Sequence, residues 1–276
     1  MVKITLKLKR PLQVPTDLSL LTPESLAGRT LREISNTPVR EGNRLKTVRD
    51  LFNVRVEDAT LEDEIRLVGD LTLSRRIGFR MSRGVITVQG SAGLYLGEGM
   101  EGGEIRVHGN TGSWTGACMK NGLIEVIGNV EHFLGSSYRG SRKGMRGGKI
   151  LIHGDAGDEI GCWMNGGLIH VEGSSGQFTG IHMIGGEIVI ERACGGRAGA
   201  EMTSGTIICL GPVEEILPSF AISDIRDSVR LGQDKLEGPF YMFEGDVNEG
   251  GRGRIYALKE ANPHLQRYER YVGTWE

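Results

Sequence analysis

The chain has 276 residues, with 33 basic and 35 acidic side chains and a formal net charge of -2. Such balance argues against nucleic acid as the main partner. Cys118, Cys162, Cys194 and Cys209 are scattered without a CxxC pair, which argues against a disulfide framework, an iron–sulfur cluster or a structural zinc site.

Glycine is the outlier: 43 residues, roughly twice the usual share of about 7%. Proline is sparse, and valine and isoleucine recur in short bursts, so the glycines are positional and not the mark of disorder. The start, MVKITLKLKR, has no apolar signal core, and no run of about 20 apolar residues follows, so the expected location is the cytoplasm.

Residues 1–70 stand outside any repeat and predict a small α+β cap. ITLKLK alternates as a strand does. TPESLAG predicts a short helix, with Thr22 or Ser25 as cap, Pro23 in the first turn and Gly28 as the stop. TVRDLFNVRVED predicts a short helix that gives way to a strand.

Residues 71–211 repeat. Met81, Met100, Met119, Met145, Met164, Met183 and Met202 are spaced by 19, 19, 26, 19, 19 and 19. Each is followed three residues later by a glycine and then by a burst such as VITV, EIRVH or KILIH. A further glycine stands three positions before most of the methionines. Within the bursts Ile and Val alternate, from Ile86 and Val88 to Ile207 and Cys209, which is the period of a strand with one buried face. A strand this short cannot bury itself; stacked in constant register, seven can. A 19-residue coil leaves no room for an ordinary helix between parallel strands. The predicted fold is all-β dominated: a right-handed parallel β-helix-like solenoid of about seven coils, with the methionines filling a corner of its interior.

The spacing of 26 belongs to GSSYRGSRKGMRGG, which carries seven extra residues between Gly135 and Met145. The burst after it resumes the same alternation, so the extra chain predicts a loop at a corner with no change of register. Tyr138, Arg139, Arg142, Lys143 and Arg146 make it a cationic, aromatic-bearing patch and the candidate contact for an acidic partner surface. Residues 212–276 lose the rhythm and gather aromatics, Phe240, Tyr241, Phe243, Tyr256, Tyr268, Tyr271 and Trp275, which predicts a C-terminal cap and docking tail.

Autonomous chemistry has little support. HExxH, GxSxG and P-loop signatures are absent. His108 and His153 occupy equivalent positions two coils apart, about 9–10 Å at ~4.8 Å per strand, too far for a shared metal. His170 is predicted to face outward. Glu104, Glu125 and Glu187 lie near strands, without a spacing that sets up a catalytic carboxylate pair. No catalytic, cofactor-binding or metal-binding residue is therefore expected in this chain.

The repeats resemble the solenoid domain of the C subunit of formylmethanofuran dehydrogenase, a domain shared with the C-terminal part of the glutamate synthase large subunit. The resemblance to the C subunit extends to SRRIGFRMSRGVITVQGSAGLYLGEGM, to GSSYRGSRKGMRGG, to CWMNGGLIHVEG, to GIHMIGGEIVIE, to LEGPFYMFEGD and to VPTDLSLLTPESLAGRT. It covers nearly the whole chain. It implies a scaffold subunit of a complex that reversibly converts carbon dioxide and methanofuran to formylmethanofuran with reduced ferredoxin. It also implies a molybdenum or tungsten pterin, iron–sulfur clusters and amidohydrolase metals in partner subunits, an amidohydrolase-like subunit as neighbour, and a methanofuran contact as an open option. The alternatives are the C subunit of a bacterial formyltransferase/hydrolase complex and a glutamate-synthase-like structural domain.

Overall fold

In each burst the residues two apart point to one side, and apolar side chains occupy those positions in every coil. The computed structural model, which describes residues 1–59, 62–232 and 234–273, shows where they go. Trp275 lies outside the described residues.

Thirteen strands form the main sheet among the described residues. They are β1 (Val2–Leu8), β2 (Phe52–Asp58), β3 (Glu64–Val68), β4 (Val85–Gln89), β5 (Glu104–Val107), β6 (Leu123–Val126) and β7 (Arg146–Ile152). Then follow β8 (Asn165–Val171), β9 (Ile184–Ile190), β10 (Ser204–Cys209), β11 (Ala221–Leu231), β12 (Asp234–Gly245) and β13 (Gly253–Leu258). From β3 to β10 each strand pairs in parallel with the next, one coil per strand. The architecture is the predicted all-β solenoid.

The register stacks like on like. Ile86, Ile105, Ile124, Ile150, Ile169, Ile188 and Ile207 are direct partners in turn, all 0% exposed. Each such side chain contributes about 1.5–3 kcal/mol of burial. The column runs further than the glycine repeat: Ile65 and Ile4 continue it at one end through β3 and β1, and Ile255 at the other through β13. Those strands fall outside the 19-residue period, although Gly253 packs on Met202 at the start of β13 as Gly205 packs on Met183 at the start of β10, so they extend the ladder where the spacing shows no repeat.

The seven repeat methionines are 0% exposed and interlock with glycines of the following coil. A Cβ added at Gly122, whose φ is +97°, would sit 2.8 Å from Met100 Cε and 2.8 Å from the Gly103 carbonyl oxygen. The same relation holds between Met119 and Gly148, Met145 and Gly167, and Met164 and Gly186. This explains the M-x-x-G spacing: one coil's glycine makes room for the previous coil's methionine.

A second face closes each coil. Leu71–Arg75 pairs in parallel with Ala92–Leu94, and single bridges carry the pairing on through Thr111, Val130, Ala156, Ser175, Cys194 and Val213. Beside it runs a side-chain relay. Asn110, Asn129 and Asp155 accept through Oδ1 from the backbone N–H of Asn129, Asp155 and Ser174, at 2.9, 2.9 and 2.8 Å.

The N-terminal cap forms largely as its residues direct. A helix spans Pro23–Leu26, Ser25 Oγ accepts from the Thr22 N–H at 3.1 Å, and Gly28 follows with φ +72°. A second spans Val48–Leu51, with Asp50 accepting from the Thr47 N–H at 2.8 Å before the chain enters β2. The helix Leu31–Ser35 went unpredicted; its signal is the capping box of Thr30 and Glu33.

The C-terminal segment does more than close an end. β11 and β12 form an antiparallel hairpin whose Val229, Leu231 and Phe240 pack on Val189 and Ile208, in a second buried cluster. Val189 and Ile208 lie on the outward side of β9 and β10, where earlier coils carry Thr87, Arg106 and Glu125. The hairpin therefore covers the outer face of the last coils. Phe240, Tyr241 and Phe243 are all 0% exposed, so these aromatics serve the core.

Where the outer face is open, charges arrive from neighbouring coils. His170 faces outward as predicted and meets Glu191 at 2.8 Å. His153 Nε2 lies 3.0 Å from Glu125 and its Nδ1 2.9 Å from Glu172, an arrangement in which both ring nitrogens donate only as imidazolium. Spacing alone concealed these carboxylates, which are 28 and 19 residues away.

Two outcomes are expected. Gly122→Ala combines left-handed strain with overpacking and lowers stability by about 2–4 kcal/mol, measured by urea unfolding. Hydrogen bonds from Glu125 and then Glu172 raise the His153 pKa. A raised folded value stabilises below the unfolded pKa of about 6.5 and the gain is lost as pH rises through the folded pKa. The site is partly exposed, so the gain stays below ~1 kcal/mol. His153→Gln removes that pH dependence, and an NMR titration midpoint for His153 at or below about 6.5 contradicts the arrangement.

A candidate partner-binding corner

Every coil turns a corner between the second face and the methionine. In regular coils two residues separate the turn glycine from the methionine, and the methionine N–H donates to the glycine carbonyl, as from Met183 to Gly180 at 3.0 Å. The interrupted coil keeps the same bond: the Met145 N–H donates to the Gly135 carbonyl at 2.9 Å. Gly135 also keeps its packing duty, since a Cβ there would lie 2.5 Å from Ile169 Cδ1. The insertion thus leaves and rejoins the coil at one point.

The loop is stitched to the next coil. The Ser137 N–H donates to the Cys162 carbonyl at 3.0 Å and the Gly144 N–H to the Trp163 carbonyl at 3.0 Å. Inside the loop the Ser137 hydroxyl donates to the Ser141 carbonyl at 2.9 Å. These bonds hold the loop against the corner.

The five predicted contact residues divide. Tyr138 turns inward, with its ring 6.0 Å from that of Tyr95 and its hydroxyl buried. The hydroxyl faces the Glu98 carboxylate without a hydrogen bond of ordinary geometry, and burial first, then Glu98, pushes the phenol pKa well up. Glu98 is itself held by Arg76, Nε to Oε2 at 2.9 Å, and Arg76 reaches Asp17 of the cap at 3.2 Å. Tyr138 is therefore the loop's anchor. Arg139, Arg142 and Lys143 are exposed on the loop, and Arg146 is exposed at the start of β7. None of the four has a carboxylate within 4.0 Å among the described residues. The Arg142 guanidinium instead lies 5.1 Å from the Trp163 ring centre.

Around the loop stand aromatic rings that no motif in the sequence singles out. Tyr95, Trp114 and Phe133 stack in succession, with ring centres 5.3 and 4.4 Å apart. Trp163 stacks on His182 at 4.5 Å with an angle of 11°. The available signal was the 19-residue spacing from Tyr95 to Trp114 to Phe133. Between the two stacks and the loop lies a cleft of about 210 Å³, whose walls include Trp114, Phe133, Glu159, Trp163 and His182.

The cleft lacks the marks of a reaction site. Burial pushes the Cys162 thiol up to about 12 and raises that of Cys118, so neither is an activated nucleophile. Among the described residues no group of three His, Cys, Asp or Glu side chains is placed to hold a metal ion. The arrangement offers cations, flat rings and backbone, which suits recognition.

Because the loop meets the coil at one point, its removal is a test of the geometry. Deleting residues 138–144 with Ser137→Gly restores two residues between Gly135 and Met145. The shortened chain is expected to unfold cooperatively in urea, at a cost of about 1–3 kcal/mol from the lost Tyr138 burial. A molten product would show that the loop is part of the fold.

A scan against protein-family models found no match. Among curated proteins, the chain is 44% identical over 272 residues to the C subunit of the tungsten-containing formylmethanofuran dehydrogenase 2 of Methanococcus maripaludis, covering 96% of this chain and 100% of that one. It is 41% identical over 269 residues to the protein of the same name from Methanothermobacter marburgensis, with the same coverage. Among solved structures it resembles a chain of the formyltransferase/hydrolase complex of Methylorubrum extorquens, determined with methylofuran, at a TM-score of 0.80 and 27% identity. That likeness covers 92% of this chain and 99% of the other. Identity at this level over the full length of the relatives joins repeat, interruption and caps in one match: the chain belongs to the family of formylmethanofuran dehydrogenase C subunits.

Proposed function

We propose that the chain is the non-catalytic scaffold subunit of a tungsten-type formylmethanofuran dehydrogenase complex. The observation that carries this is the full-length match, at 44% and 41% identity, to C subunits of that kind. The complex converts carbon dioxide and methanofuran reversibly to formylmethanofuran with reduced ferredoxin. The pterin-bound metal, the iron–sulfur clusters and the amidohydrolase metals belong to its other subunits. The setting is the cytoplasm; among the described residues no helix is long and apolar enough to cross a membrane.

In this reading the chain has three parts: a cap at 1–70, the solenoid at 71–211, and a C-terminal cap and docking tail at 212–276. The amidohydrolase-like subunit is the neighbour, and Arg139, Arg142, Lys143 and Arg146 engage its acidic surface, with Tyr138 holding the loop in place. Four exposed cations without a carboxylate partner among the described residues support this. Such charges at a rim set the encounter rate and the salt dependence of binding more than its strength.

The test is purification of the native complex with mass spectrometry of subunits and metals. The expected result is an amidohydrolase-like subunit and a pterin-binding subunit with tungsten. A complex with a formyltransferase and no tungsten or molybdenum would move the chain to the formyltransferase/hydrolase setting. Arg139→Glu with Arg142→Glu is expected to weaken assembly about tenfold at low salt, and less at high salt. Unchanged assembly with weakened methanofuran binding would make the loop a coenzyme contact.

A further inference from the structure

At twelve corner positions the backbone is left-handed at a residue other than glycine. Left-handed backbone favours glycine, then asparagine and aspartate. Here five of the twelve are Tyr95, Trp114, Phe133, Trp163 and Phe178, and a sixth is His182. They fall into two stripes, one two residues before the turn glycine and one just before the methionine. The second stripe includes Gly99, at φ +64°, so the corner accepts glycine there without harm to the fold. A chain with 43 glycines nevertheless places large rings at strained positions, which points to the rings themselves as the reason.

The rings are half-buried, not enclosed. Four of the six line the cleft, Trp114 and Phe133 from the first stripe and Trp163 and His182 from the second. Arg139 lines the cleft and the Arg142 guanidinium lies 5.1 Å from the Trp163 ring centre, neither with a carboxylate within 4.0 Å among the described residues; the carboxylates nearby are Glu159 in the wall and Glu201, 3.2 Å from His182 Nδ1. Apolar ring walls beside two cations that no carboxylate neutralises complement an acidic segment.

We propose that the two aromatic stripes are the energetic centre of a subunit interface, where an acidic segment of another subunit lays a flat side chain in the cleft. The inference rests on the reading of this chain as a scaffold subunit. The rings hold the partner, whereas the loop cations steer it.

Left-handed geometry gives the test its discrimination. Glycine relieves the strain at these positions, which offsets the loss of a ring stack, so truncation separates binding from folding. Trp163→Gly, Phe178→Gly and His182→Gly are each made in the full chain and purified with the remaining subunits. Native mass spectrometry then follows how much of the chain stays in the complex on dilution, and a thermal melt follows the chain alone. The expected result is a nearly unchanged melting temperature and assembly weakened tenfold or more for Trp163→Gly, with Trp163→Phe restoring it. Assembly unchanged in all three glycine variants overturns the proposal, whatever the melting temperature does. So does intact assembly with weakened binding of isolated methanofuran. If Arg139→Glu with Arg142→Glu leaves assembly intact while Trp163→Gly breaks it, the stripes stand and the loop reading falls.

Discussion

A methionine methyl in one coil fills space that only a glycine in the next leaves free, and the rest of the molecule depends on that contact. Met100 against Gly122 and Met164 against Gly186 set the distance and the phase of successive coils. Once the phase is set, isoleucine must fall on isoleucine, and a column of small burial gains sums to a core. Neither half works alone. A side chain in place of the glycine collides with the methionine and with the previous coil's backbone, and glycine without the methionine leaves a void.

The solenoid was legible because its determinants are local and repeated. Alternation placed the strands, the constant period placed the corners, and the resumption of alternation after Gly148 showed that the insertion leaves register intact. The ladder's ends were hidden for the opposite reason. Ile4, Ile65 and Ile255 join the column through chain segments of irregular length, so no period announces them. The hairpin over the outer face was hidden as well. Val189 and Ile208 are each an apolar residue in an outward slot, but what covers them is tens of residues away. The corner was half legible. The cations of the loop could be read directly, whereas the inward turn of Tyr138 depends on Glu98 and Arg76, forty and sixty-two residues earlier in the chain.

The two sides of the sheet divide the labour. The inner side is nearly invariant in chemistry along the stack, so it specifies a shape. The outer side changes along the stack: mixed charges over the first coils, the His153 ion pairs midway, and the hairpin's apolar cover at the end. The corner adds a third surface that neither strand face supplies. A solenoid lets these surfaces vary independently, because each residue type has its own fixed slot in the repeat.

The bond from the Met145 N–H to the Gly135 carbonyl carries a consequence for how such a chain can change. It closes the coil around the insertion as it closes every other coil around two residues. The solenoid therefore has a port: a place where chain length is decoupled from strand phase. Segments of different length or charge can be exchanged there while every isoleucine keeps its partner. Such a chain can take on a different surface at this one place while the rest of the fold is kept.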